Sequence, residues 1–127
     1  MTESDYIPGT CNIGPGEIRK RQFTAVVGAL LSLLAILSYS HTHISHMART
    51  GIFIPLMVFS VGFIQSRRKF CLAFGFMGTF NFGKSREIAR VSSPEDRASD
   101  RKTALSILGQ SALLALVLTG VVVALPL

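Results

Sequence analysis

The sequence predicts an all-α membrane protein with three transmembrane helices and a short interfacial or re-entrant aromatic segment. Three observations carry that prediction. The chain has 127 residues, of which 49% are hydrophobic and only 16% charged, whereas an average soluble domain carries about 25% charged residues. Its mean hydropathy is +0.46. Its apolar residues also cluster in long uncharged runs. One small membrane domain fits the length, and a soluble globular enzyme does not fit the composition.

The N-terminal stretch, residues 1–16, is turn-rich from Tyr6 onward, with Pro8, Gly9, Gly14, Pro15 and Gly16. A helix is expected to begin near Pro15, a residue suited to the first helical position, with Glu17 in the first turn where the helix dipole favours an anion. Residues 22–40 form an uncharged run of 19, long enough at about 28 Å to cross a bilayer core. Residues 50–66 form a second run of 17, a marginal span of about 25 Å. Pro55 falls in its first turn, where a missing N–H costs least. Residues 103–127 form the longest uncharged run, 25 residues, and can tilt to fit. Ser93, Pro94, Glu95 and Asp96 make a good helix start by cap, proline and dipole. One helix is therefore expected from Pro94 to Ala124, with Arg97 and Asp100 paired on its exposed first turns.

Residues 70–83 (FCLAFGFMGTFNFG) form a fourth uncharged run of 14, flanked by Lys69 and Lys84. At about 21 Å it is too short to span. Two placements stay open: an in-plane segment at the headgroup boundary, or a re-entrant element packed on the turn-rich N terminus and buried by protein. Residues 84–102 are expected to be polar and cytoplasmic.

Charge gives the orientation. The formal net charge is +6. With three spans, twelve of the thirteen Lys and Arg fall on one side, and Arg49 alone falls on the other. The positive-inside rule makes the populated side cytoplasmic, with the N terminus in and the C terminus out. A fourth crossing would put six of those residues outside, which argues against it. The basic excess is read as orientation and contact with anionic lipid; no nucleic-acid-binding motif accompanies it.

Four features are candidates for function. His41, His43 and His46, all the histidines of the chain, precede Met47 on the expected outer side, a donor set that suits Zn or Cu. No carboxylate is expected on that side to orient an imidazole, and a polar loop is the other reading. Cys11 and Cys71 both fall on the cytoplasmic side, where a structural disulfide is disfavoured. Phe70, Phe74, Gly75, Gly78, Phe80 and Phe82 mark residues 70–83 as an interaction surface. Small residues at Ala25, Gly28, Ala29, Ser32 and Ala35 allow another helix to approach closely. That face serves either internal packing or docking of a partner, and Gly109, Ala112 and Ala115 offer a similar set in the third span.

No acid lies within a span, and no catalytic constellation or phosphate loop is visible. The expectation is therefore a non-enzymatic accessory or scaffolding subunit without a cofactor. It would pack against other membrane helices or itself and touch anionic lipid. Extracytoplasmic metal handling through the histidine loop is the alternative.

Residues 6–18 (YIPGTCNIGPGEI) and 70–83 together carry PGxCNIGPxEI and FCxxFGxxGxFNFG patterns. In these, and in its layout, the chain resembles an uncharacterised family of small bacterial multi-pass membrane proteins. The resemblance implies a bacterial cytoplasmic membrane, and it assigns no residue a role.

Overall fold

A computed structural model describes residues 6–42, 44–81 and 88–126. Helix α1 runs Pro15–His41, with Pro15 at its start and Glu17 in its first turn. A 3-10 segment, Met47–Ile52, leads directly into α2, Phe53–Arg68. This lengthens the second crossing beyond the uncharged run: Met47–Arg68 is 22 residues, about 36 Å along its axis. Lys69 ends α2 in a left-handed conformation (φ 55°), its N–H returning to the Gln65 carbonyl. A short helix α3, Leu72–Met77, ends at Gly78 with φ 70°. Strands β1, Thr79–Phe80, and β2, Ala89–Arg90, pair antiparallel. Helix α4 then runs Pro94–Ala124, its first turn capped by Ser93, whose hydroxyl accepts the Asp96 N–H at 3.4 Å.

Three helices are long and apolar enough to cross a membrane, and the chain is a small multi-pass membrane protein by that architecture. Fewer than a third of the positions in each crossing window are buried within the chain. Most of each helix therefore faces lipid or other helices.

Helix α2 lies between α1 and α4. The small residues of α1 decide how closely it meets α2. A Cβ on Gly28 would lie 2.3 Å from the Phe59 nitrogen, and one on Gly62 would lie 2.7 Å from the Ala25 nitrogen. The backbones touch, as small-residue crossings in membranes allow. Gly28 and Ser32 are thus buried inside the chain, with Ala25, while Ala29 and Ala35 are half-buried. On α4, Asp100, Ala104, Ile107, Ser111, Ala115, Thr119 and Val122 form the buried stripe. Buried hydroxyls at Ser32, Ser60 and Thr119 donate to the carbonyl four residues earlier, which satisfies them without a partner helix.

At the end away from the basic cluster, Arg49 is buried and donates to the Leu125 carbonyl at 2.6 Å and the Val122 carbonyl at 3.4 Å. It lies at the end of α4 where the dipole favours a cation, and it shares the Val122 carbonyl with the Leu125 N–H.

Candidate functional site

At the basic end, the chain outside the three crossings folds into a cap. It is built from the N-terminal segment, residues 69–81, β2 and the first turns of α4. The two sequence patterns meet there. Asn12 is fully buried and uses both its backbone and its side chain. Its N–H donates to the Lys69 carbonyl at 3.2 Å, and its carbonyl accepts the Asn81 N–H at 2.9 Å. Its Oδ1 accepts the Cys71 N–H at 2.7 Å, and its Nδ2 donates to the Cys71 carbonyl at 3.2 Å. A side-chain amide has one acceptor and one donor group in a plane, which is how it copies a strand partner for Cys71.

Asn81, also fully buried, accepts the Gly14 N–H at 2.9 Å and donates to Glu17 Oε1 at 3.3 Å. Glu17 is 4% exposed and pairs with Lys20 at 3.3 Å and Arg21 at 3.2 Å. Arg21 in turn donates to the Cys71 sulfur at 3.0 Å. Asn12, Cys71, Arg21, Glu17 and Asn81 therefore close a polar ring. Beside it, Ile13, Cys71 and Phe74 form an apolar cluster. Burying these groups without partners would be costly, and the ring supplies the partners.

A second set of contacts ties the N-terminal segment to α4. Asp100 is fully buried and accepts the Tyr6 hydroxyl at 2.5 Å and the Gly9 N–H at 2.7 Å. Thr103 donates to the Gly9 carbonyl at 2.7 Å. Gly9 has φ +69°, and a Cβ there would lie 2.4 Å from the Ser99 hydroxyl, so conformation and space both call for glycine. Tyr6 stacks on Phe80 with ring centroids 4.8 Å apart. The expected surface pairing of Arg97 with Asp100 is not formed. Asp100 turns inward to the N-terminal segment, and Arg97 donates to the Val91 and Ser92 carbonyls instead.

Burial raises the Tyr6 hydroxyl pKa well above its ordinary value near 10, helped by the hydrogen bond to Asp100 and the charges of Asp100 and Asp96. The folded cap thus favours neutral tyrosine, and its stabilisation is complete below pH 10. That contribution falls as pH rises above about 10, where the unfolded chain alone loses the proton. Alkaline titration is expected to lower cap stability in the wild type, and Tyr6→Phe to remove this part of the slope. Melting curves at several pH values, with tyrosinate absorbance read in parallel, check it. Equal slopes in the two proteins would refute it. Glu95, fully exposed, is held below the usual carboxylate range by its backbone N–H and by Ser93.

Much of the aromatic segment packs against the N-terminal segment and α4. Phe70, Phe74 and Phe80 are 0%, 8% and 7% exposed. Gly75 packs on the Phe70 ring and Gly78 on the Arg97 side chain. These five residues are therefore the core of the cap and not its surface, because the N-terminal segment and α4 cover them. Ala73, Phe76 and Met77 are exposed. Phe82 lies outside the described residues.

The Cys71 thiol receives Arg21 while Cys11 donates to the Ile13 carbonyl at 3.7 Å, and no disulfide joins them. His41 ends α1 and is exposed. His46 has Nδ1 2.5 Å from the Val123 carbonyl, at the end of α4. Met47 is exposed, and His43 lies outside the described residues. Among the described residues, no three His, Cys, Asp or Glu side chains converge as a metal would need.

Asn12, Asn81, Gln65 and Tyr6 are the site residues that sequence reasoning missed. Gln65 accepts the Leu72 N–H at 2.8 Å and so fixes the start of α3. The available signal was position: both asparagines lie inside the quoted patterns, each in an apolar, glycine-flanked setting. Comparison with family models, with curated proteins and with solved structures finds no match to the chain.

Proposed function

We propose that this protein is a non-enzymatic accessory or scaffolding subunit of a bacterial cytoplasmic membrane, with its capped basic end in the cytoplasm. It packs against partner helices through α4 and touches anionic lipid at the basic end. The observation that carries this reading is the contrast between its glycines. Gly28, Gly62 and Gly75 are filled by neighbours, whereas a Cβ on Gly109 or Gly120 would meet nothing within 4 Å. Those two lie eleven positions apart, about three helical turns, and so share one face of α4. Leu113 and Leu116, 64% and 58% exposed, stand between them. Glycines that no internal contact requires, bracketing exposed leucines, suit the close approach of another helix. The non-enzymatic part rests on the buried polar groups: Asn12, Glu17, Asn81 and Asp100 are each bonded within the cap.

The test is the native mass of the protein extracted from its own membranes in mild detergent. A defined complex is expected. The double substitution Gly109→Leu, Gly120→Leu should reduce it to a small species, with an affinity loss of at least about tenfold, or 1.4 kcal/mol. Its melting temperature should stay unchanged or rise, since nothing occupies the space and glycine is a poor helix former. A wild-type protein that runs small, or a double variant that keeps the complex, would overturn the reading.

A further inference from the structure

Two grooves flank the contact between α1 and α2, and they differ in chemistry. One, of about 410 Å³, is lined by Phe53, Ile54, Met57, Val58 and Val61 with Thr24, and carries no charge. The other, of about 320 Å³, has apolar walls from Val26, Ala29, Phe59 and Phe63 but is polar at one end, with Gln22, Ser66 and Arg67. Gln22 opens the first uncharged run of the sequence, and Ser66 closes the second. Hydropathy along the chain and polarity within the groove therefore mark the same level, where hydrocarbon gives way to headgroups. Phe59 and Arg67 are eight positions apart on α2, about 12 Å, which is most of the roughly 15 Å of one leaflet's hydrocarbon.

Charge decides the occupant. The Arg67 guanidinium sits 5.8 Å from the centre of the Phe63 ring, which holds it at the mouth of the groove. It has no carboxylate partner among the described residues, and no acid lines the groove. Glu17, the acid of α1, is engaged by Lys20 and Arg21. Arg68 and Lys69 follow directly and are exposed.

From this we infer that the α1–α2 groove holds one anionic glycerophospholipid of the surrounding bilayer. An acyl chain lies along Val26, Ala29, Phe59 and Phe63, and the phosphate meets Arg67, with the Gln22 amide as a second donor. The inference deepens the lipid half of the proposed role and rests on that reading, while its helix-docking half is tested separately. The uncharged groove takes an acyl chain of any lipid and serves as the internal comparison.

The experiment is lipid retention by purified protein. The full chain is reconstituted with equal amounts of phosphatidylglycerol and phosphatidylcholine bearing the same acyl chains. It is then re-extracted in mild detergent, and retained lipid is read by native mass spectrometry. One retained phosphatidylglycerol per chain is expected, preferred about fivefold. Arg67→Gln should reduce that preference to near parity. Lys102→Gln, which removes an exposed charge of α4 outside the groove, should leave it unchanged. Ala29→Leu should fill the groove and lower retention itself. If that variant fails to fold, Arg67→Gln with wild-type helical content carries the test alone. Equal losses in Arg67→Gln and Lys102→Gln would overturn the site while leaving diffuse lipid contact intact. No preference in the wild type would overturn both.

Discussion

Asn12→Ala is expected to open the cap while leaving the three crossing helices folded. The substitution strands the Cys71 N–H, which Asn12 Oδ1 accepts at 2.7 Å, and removes one of two bonds to the Cys71 carbonyl, which keeps the Gly75 N–H at 3.0 Å. One buried polar group left without a partner costs about 1–3 kcal/mol and the second lost hydrogen bond about 1 kcal/mol, so a loss of about 2–4 kcal/mol follows. That loss falls on the cap alone, since the span contacts at Gly28 and Gly62 lie elsewhere. Cys71 is 2% exposed and reports the opening directly. In a Cys11→Ser background, maleimide labelling of Cys71 should quicken by about 30-fold or more, since each 1.4 kcal/mol is a factor of ten. Helical content should barely change. Labelling at the parent rate would show that Asn12 does not hold the cap shut.

The second large effect belongs to Gly28→Ala. An added Cβ would lie 2.3 Å from the Phe59 nitrogen and 2.7 Å from its Cα. Both are backbone atoms, so no side-chain rotation relieves the clash and α1 must move off α2. Overpacking of this kind costs about 1–3 kcal/mol, occasionally more, and a fall in melting temperature of about 5–15 °C is expected. Gly109→Ala is the matched control: nothing lies within 4 Å of its Cβ, and alanine gains helix propensity over glycine by up to about 1 kcal/mol. Thermal melts of the two variants in the same detergent separate them, with equal shifts counting against the packing argument.

The parts of the fold legible in the sequence are those governed by local rules. Pro15 and Pro94 start α1 and α4 because a proline without an N–H suits a first turn. The uncharged runs mark three helices because only long apolar helices satisfy their backbone in lipid. The aromatic segment stayed ambiguous. Fourteen uncharged residues without steady periodicity fit a membrane surface or a protein interior equally well, and the N-terminal segment that covers them is far away in sequence. Asp100 shows the same limit more sharply. Its spacing from Arg97 suggested a surface pair, whereas its actual partners, Tyr6 and Gly9, lie 94 and 91 positions away. For the same reason the sequence marks neither Asn12 nor Asn81 as a site residue. A neutral amide announces nothing locally, and its value comes from the strand-like edge it meets after folding.

The long reach of the Tyr6–Asp100 contact also orders events during translation. Synthesis at about 5–20 residues per second leaves Tyr6 waiting roughly 5–20 s for Asp100. Asn12 waits a shorter time, since Cys71 and Asn81 come first. Helices α1 and α2 can pair as soon as both have emerged, and the polar ring can close next. The aspartate arrives last and is held by groups made at the very beginning. A nascent chain that stalls before residue 100 therefore leaves Tyr6 and Gly9 without the carboxylate that holds them. The last fastening of the cap therefore waits until the start of α4 has been made.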